Sequence, residues 1–118
     1  MTNKELFNQL STDLQLDLAH LLACYDEAHV EYYKGEYFVK VDWFLFSNYP
    51  EDFKVLNTFK SEEFYPKGST YFNDWYDFVD KKKSKGEKNS EGQWQKEFEK
   101  LYEPVYQQAI NHFKQVNA

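Results

Sequence analysis

An α+β fold is predicted for this chain by three features of its apolar pattern. Leucines recur at helical spacing between Ser11 and Ala28, a block rich in Val, Tyr, Phe and Trp runs from His29 to Phe46, and a second helical stripe occupies 93–116. The 118 residues, 42% hydrophobic and 29% charged, suit a single domain spanning 1–118. A chain of this size buries between about 60 and 70% of its unfolded surface, which is enough to fold without a disulfide or a metal.

In the first helix Leu14, Leu18, Leu21, Leu22, Tyr25 and Ala28 share one side, and Asp13, Asp17, His20, Cys24 and Glu27 the other. Ser11 or Thr12 caps its N-terminus. Residues 3–10 form a helical lead-in that turns Leu6, Phe7 and Leu10 inward. The block 29–46 reads as a β-hairpin with its turn at Lys34-Gly35-Glu36. In its second strand Tyr37, Val39, Val41, Trp43 and Leu45 face one way, and Phe38, Lys40, Asp42, Phe44 and Phe46 the other, so its far end is apolar on both sides. Residues 51–60 admit a strand or a short helix. The alternation of Phe53, Val55, Asn57 and Phe59 with Lys54, Leu56, Thr58 and Lys60 favours the strand, giving a small antiparallel sheet of two or three strands over about 29–60.

Residues 61–69 read as loop, turning at Pro66-Lys67-Gly68-Ser69. A helix over about 70–82 follows, with Tyr71, Phe72, Trp75, Tyr76, Phe78 and Val79 in a wide apolar arc and Asn73, Asp74, Asp77 and Asp80 opposite. The tract 81–92 holds no apolar residue and is expected to be a mobile, lysine-rich loop. The last helix, 93–116, carries Pro104, which should kink or split it. The rival architecture is all-helical, with 37–46 as a buried helix.

The net charge is −6, and all 14 basic residues are lysine. Without arginine's bidentate fork, and with an acidic balance, direct binding to nucleic acid or to an anionic membrane is disfavoured. Lysine without arginine, beside abundant Asn, Tyr and Phe, is also what AT-rich codons produce, as in a low-GC bacterium or its phage. Cys24 is the only cysteine, which rules out an intramolecular disulfide. Met1-Thr2-Asn3-Lys4-Glu5 shows no basic segment leading into an apolar one, and no run approaches the roughly 20 apolar residues of a membrane span. A cytoplasmic protein is expected.

No catalytic signature stands out. His20, Cys24 and His29 have partly sensible ligand spacing, and Asp17 shares the face of His20, but a solvated polar helix face explains them without a metal. Cys24 lies in Leu-Leu-Ala-Cys-Tyr, with no cation to lower its pKa, so a pairing with His20 or His112 as a nucleophile is not expected. The glycines at 35, 68, 86 and 92 form no phosphate-binding loop. The acid pairs read as surface acids rather than as a general acid and base across a cleft. No enzyme activity, metal or cofactor is expected.

The unusual quantity is the aromatic content, 20% of the chain. One modest core cannot hold all these rings, and tyrosine is best suited to reach the surface. Tyr65, Tyr71, Trp75 and Tyr76 interleave with Glu62, Glu63, Asp74 and Asp77. Aromatic anchors with a carboxylate rim fit a basic protein surface, and we expect these eight residues to form a partner-binding site. The expected function is that of a non-catalytic protein occluding a basic or nucleic-acid-binding surface, as an immunity protein against a nuclease or a phage or mobile-element inhibitor does. Phe64-Tyr65-Pro66-Lys67-Gly68 and the downstream Trp75 resemble the Tyr-Pro-Lys stretch and following helix of nuclease-colicin immunity proteins. The β-rich segment 29–46 departs from that all-helical family, so no membership is assigned. The alternatives are a small-ligand domain or enzyme with Trp43 or Trp75 in an aromatic pocket, and a homo-oligomer whose aromatics form the interface.

Overall fold

The computed structural model describes residues 1–42, 50–88 and 92–116. Eight elements follow one another: α1 (Asn3–Gln9), α2 (Thr12–Cys24), β1 (Glu27–Tyr33), β2 (Glu36–Lys40), β3 (Lys54–Lys60), α3 (Ser61–Phe64), α4 (Tyr71–Ser84) and α5 (Gln93–Val116). This is the expected α+β architecture. The strand alternative for 51–60 holds, because β3 pairs with β1. No helix among the described residues is long and apolar enough to cross a membrane.

A side-chain cap opens each of the first two helices. Thr2 accepts from the Glu5 amide and Ser11 from the Leu14 amide, each filling a donor left free at a helix start. The α2 helix ends at Cys24 rather than continuing to Ala28, and Tyr25 is already extended and half exposed. Ala28 is buried as expected, but it lies opposite Phe59 in the sheet. Periodicity alone does not separate these states for so small a residue.

The strands lie in the order β2-β1-β3, all antiparallel. The hairpin between β1 and β2 turns at Lys34 and Gly35, both with positive φ, 48° and 85°, a turn whose twist matches that of its strands. Tyr37 and Val39 pack toward the helices, while Phe38 and Lys40 meet Phe53 on the other face. That division is the expected one. The remainder of the predicted second strand, from Trp43 to Phe46, lies outside the described residues.

Helices cover one sheet face, and at their junction Phe7, Phe59, Phe64 and Phe113 are fully buried against one another. Phe64 and Phe113 stack with centroids 4.6 Å apart, and Phe7 meets Phe113 at 4.9 Å. Fully burying each such ring contributes about 1.5–3 kcal/mol, so this cluster ties α1, β3, α3 and α5 together.

Three boundaries differ from expectation. Residues 61–64 are a single helical turn, not loop, because the Glu63 carboxylate accepts from the Lys60 amide and Phe64 is drawn into the core. The turn after it lies one residue earlier than expected, over Tyr65–Gly68, with the Gly68 amide donating to the Tyr65 carbonyl at 2.9 Å. The predicted mobile loop at 81–92 is too long at its start, since α4 continues through Ser84. Lys82 explains the extension: its ammonium lies 2.7 Å from Glu97 of α5 and its charge sits over the Phe78 ring. Finally, α5 is one continuous helix through Pro104, so of the expected kink or split it is the split that does not occur, and the proline lies on the exposed side.

Candidate functional site

Helix α4 carries two aromatic lines. Tyr71, Trp75 and Phe78 stand at i, i+4 and i+7 and turn inward, where all three rings meet Phe98 of α5 at 5.3 to 5.5 Å. Phe72 and Tyr76 form the second line, one turn apart, and are 50% and 61% exposed. Asn73, Asp77 and Asp80 are exposed beside them. The outward side of α4 is therefore two aromatic rings edged by carboxylates.

Of the eight residues expected to form the partner site, the structure leaves only some on the surface. Tyr76, Asp77 and Glu62 are exposed. Tyr71 is buried, and its hydroxyl donates to Glu99 Oε1 at 2.6 Å. Tyr65 is half-buried, with its hydroxyl donating to the Ala19 carbonyl, and Trp75 is half-buried against Phe98. Asp74 accepts at Oδ2 from Thr70 Oγ1 at 3.1 Å and from the Tyr102 hydroxyl at 3.0 Å, which makes it a brace between α4 and α5. Glu63 caps α3, and Glu62 lies in a separate cleft with Asp26, Glu27 and Lys60. The expected site thus divides into a structural half and a surface half. Phe72 and Asp80 belong to the surface half and were not among the residues expected there. Their signal is the spacing: two aromatic lines about 100° apart cannot both face one core, and the line 71, 75, 78 is the longer.

A second polar constellation joins α2 to α5. Glu99 accepts from Tyr71 at Oε1 and from the Tyr106 hydroxyl at Oε2, 2.9 Å away. His20 Nδ1 lies 2.7 Å from the same Tyr106 hydroxyl and 3.4 Å from Glu99 Oε2. With the Tyr106 proton directed to Glu99, His20 donates from Nδ1 to the Tyr106 oxygen. His20 is therefore packed against α5 and does not belong to a plain solvated face. Both tyrosine hydroxyls are pushed far above the usual range, first by burial and then by the Glu99 carboxylate they hold. Cys24 is pushed up to about 11 by burial and by Glu99, which keeps it a thiol.

Asp17, His20, Gln95, Glu99, Glu103 and Tyr106 line an open cleft of about 340 Å³ here. Its lining is rich in acceptors and holds no lysine. His29 is not part of it, since its Nδ1 lies 2.8 Å from Thr58 Oγ1 in the sheet. Among the described residues no three His, Cys, Asp or Glu side chains converge as a metal site.

No protein-family model matches the chain, and neither does any curated protein or solved structure.

Proposed function

We propose that the protein acts by binding, and that the outward strip of α4 covers a basic surface on a protein partner. The observation that carries this reading is the exposure of Phe72 and Tyr76 side by side, edged by Asp77 and Asp80. Rings of this size supply contact area at small entropic cost, and carboxylates at the rim steer a cationic partner and pair with its lysines or arginines. The net charge of −6 supports the same direction of attraction. A nucleic-acid-binding protein, a nuclease included, offers the complementary surface, so inhibition by occlusion in a bacterial or phage cytoplasm is the role proposed. No chemical step is part of it.

A pull-down from host lysate at low and high salt tests the reading, with Asp77→Lys/Asp80→Lys and Tyr76→Ala as variants. A basic protein captured by the wild type, released by salt and lost with both variants supports it. Capture that survives both variants rejects the strip. An apparent mass of a dimer, reduced to a monomer by Tyr76→Ala, would assign the rings to a self-interface instead.

A further inference from the structure

The turn Phe64–Gly68 and the C-terminal half of α5 line an open groove of about 260 Å³. Phe64, Tyr65, Val105 and Ala109 supply apolar wall, and Lys67, Gln108 and His112 supply polar groups. In a chain with 20 acidic residues, this groove's lining has no carboxylate among the described residues. The cleft beside His20, by contrast, is lined by Asp17, Glu99 and Glu103.

Its walls are held from behind. The Tyr65 hydroxyl donates to the Ala19 carbonyl at 2.9 Å, its amide donates to the Ser61 carbonyl at 2.7 Å, and Phe64 stacks on Phe113. Tyr65 therefore offers a bound molecule its ring and not its hydroxyl. Lys67 is exposed on the turn, and among the described residues its ammonium enters no ion pair or side-chain hydrogen bond. His112 is half-buried one turn from Ala109, and Gln108 is exposed beside it.

We propose that this groove binds a small apolar carboxylate, with its hydrocarbon or aromatic body on Val105, Ala109 and the Tyr65 ring and its carboxylate toward Lys67 and His112. The complementarity is of two kinds. Apolar wall removes the body from water, while Lys67 and the His112 ring supply donors to an anion. The groove is lined by the turn after α3 and by α5 and by no residue of α4, so it is a separate site and its fate is independent of the proposal for α4.

The test is a titration of ¹⁵N-labelled protein with 1-naphthoate and, in parallel, with its uncharged analogue 1-naphthalenemethanol. Saturable shifts centred on the amides of Gly68, Val105 and His112 are expected with the acid. Binding should weaken about tenfold for the alcohol, and by a similar factor for the acid with Lys67→Glu. Lys67 is exposed, so the variant should melt as the wild type does, and an unchanged melt confirms that any loss is local. The proposal is overturned if no saturable shift appears at these amides, if the alcohol binds as tightly as the acid, or if Lys67→Glu binds the acid as the wild type does. Shifts centred instead on Lys81–Lys85 would assign the affinity to the basic end of α4 and overturn it equally.

Discussion

The Tyr71 hydroxyl, on α4, donates a 2.6 Å hydrogen bond to Glu99 of α5, 28 residues away in the chain. Tyr106 donates to the other oxygen of the same carboxylate, and His20 of α2 reaches both Tyr106 and Glu99. One glutamate thereby ties three helices. Removing one donor, as in Tyr106→Phe, should cost about 1–2 kcal/mol in urea unfolding, since it takes one partner from the carboxylate and one from His20 Nδ1.

The same tyrosines set the alkaline limit of the fold. The hydroxyls of Tyr65, Tyr71 and Tyr106 are all raised above their ordinary value of 10.0, with burial the first cause in each. A raised folded pKa contributes stability that is fully present below the unfolded value and lost as pH rises past it. Thermal melting followed across pH 9 to 11 should fall steeply beyond about pH 10. In Tyr71→Phe the slope should be shallower, and an unchanged slope would count against the buried hydroxyl as its source.

Glu31 predicts the opposite of an ordinary surface acid. It is fully buried in the central strand, and among the described residues neither carboxylate oxygen has a hydrogen-bond partner. Burial raises its pKa, against a smaller lowering by Lys40 and His29. Its contribution to stability is present at acid pH and lost as pH rises through the folded pKa. Glu31→Gln should therefore stabilise the protein at pH 7, because it removes the buried charge. Difference curves between wild type and variant should close toward acid pH. A variant less stable than wild type at pH 7 would disprove this account.

Cys24 should behave as an inert thiol. With its pKa pushed up to about 11, little thiolate exists at pH 8. Labelling by a disulfide reagent should be slow in buffer and become fast in urea.

Two phenylalanines on neighbouring elements should respond differently to truncation. Phe113 is fully buried against Phe7, Phe59 and Phe64, so Phe113→Ala should cost about 3–5 kcal/mol. Phe72→Ala, on the outward line of α4, should change stability by less than about 0.5 kcal/mol while weakening capture of the partner. Chemical denaturation of both variants separates a folding role from a surface role.

The sequence by itself determined the fold class, the hairpin turn at Gly35 and the two C-terminal helices, because these follow from local periodicity and from backbone preference; for 51–60 it left a strand and a short helix both open, and only pairing with β1 decided for the strand. It also marked the segment around α4 as rich in rings and acids. It did not say which rings face out: Tyr71 and Phe72 are neighbours with similar apolar surface, and only the docking of α4 on Phe98 turns one inward and leaves the other 50% exposed. The acids divide for the same reason. Asp74 is taken by Thr70 and Tyr102 while Asp77 stays at the surface, although both read as acids of one helix. His20, Tyr71, Glu99 and Tyr106 are separated by up to 86 residues, so only the packing of α2 and α4 on α5 could bring them together. Patterns of three or four residues reveal an element and its faces; which polar groups meet is decided by long-range packing, to which local spacing is blind.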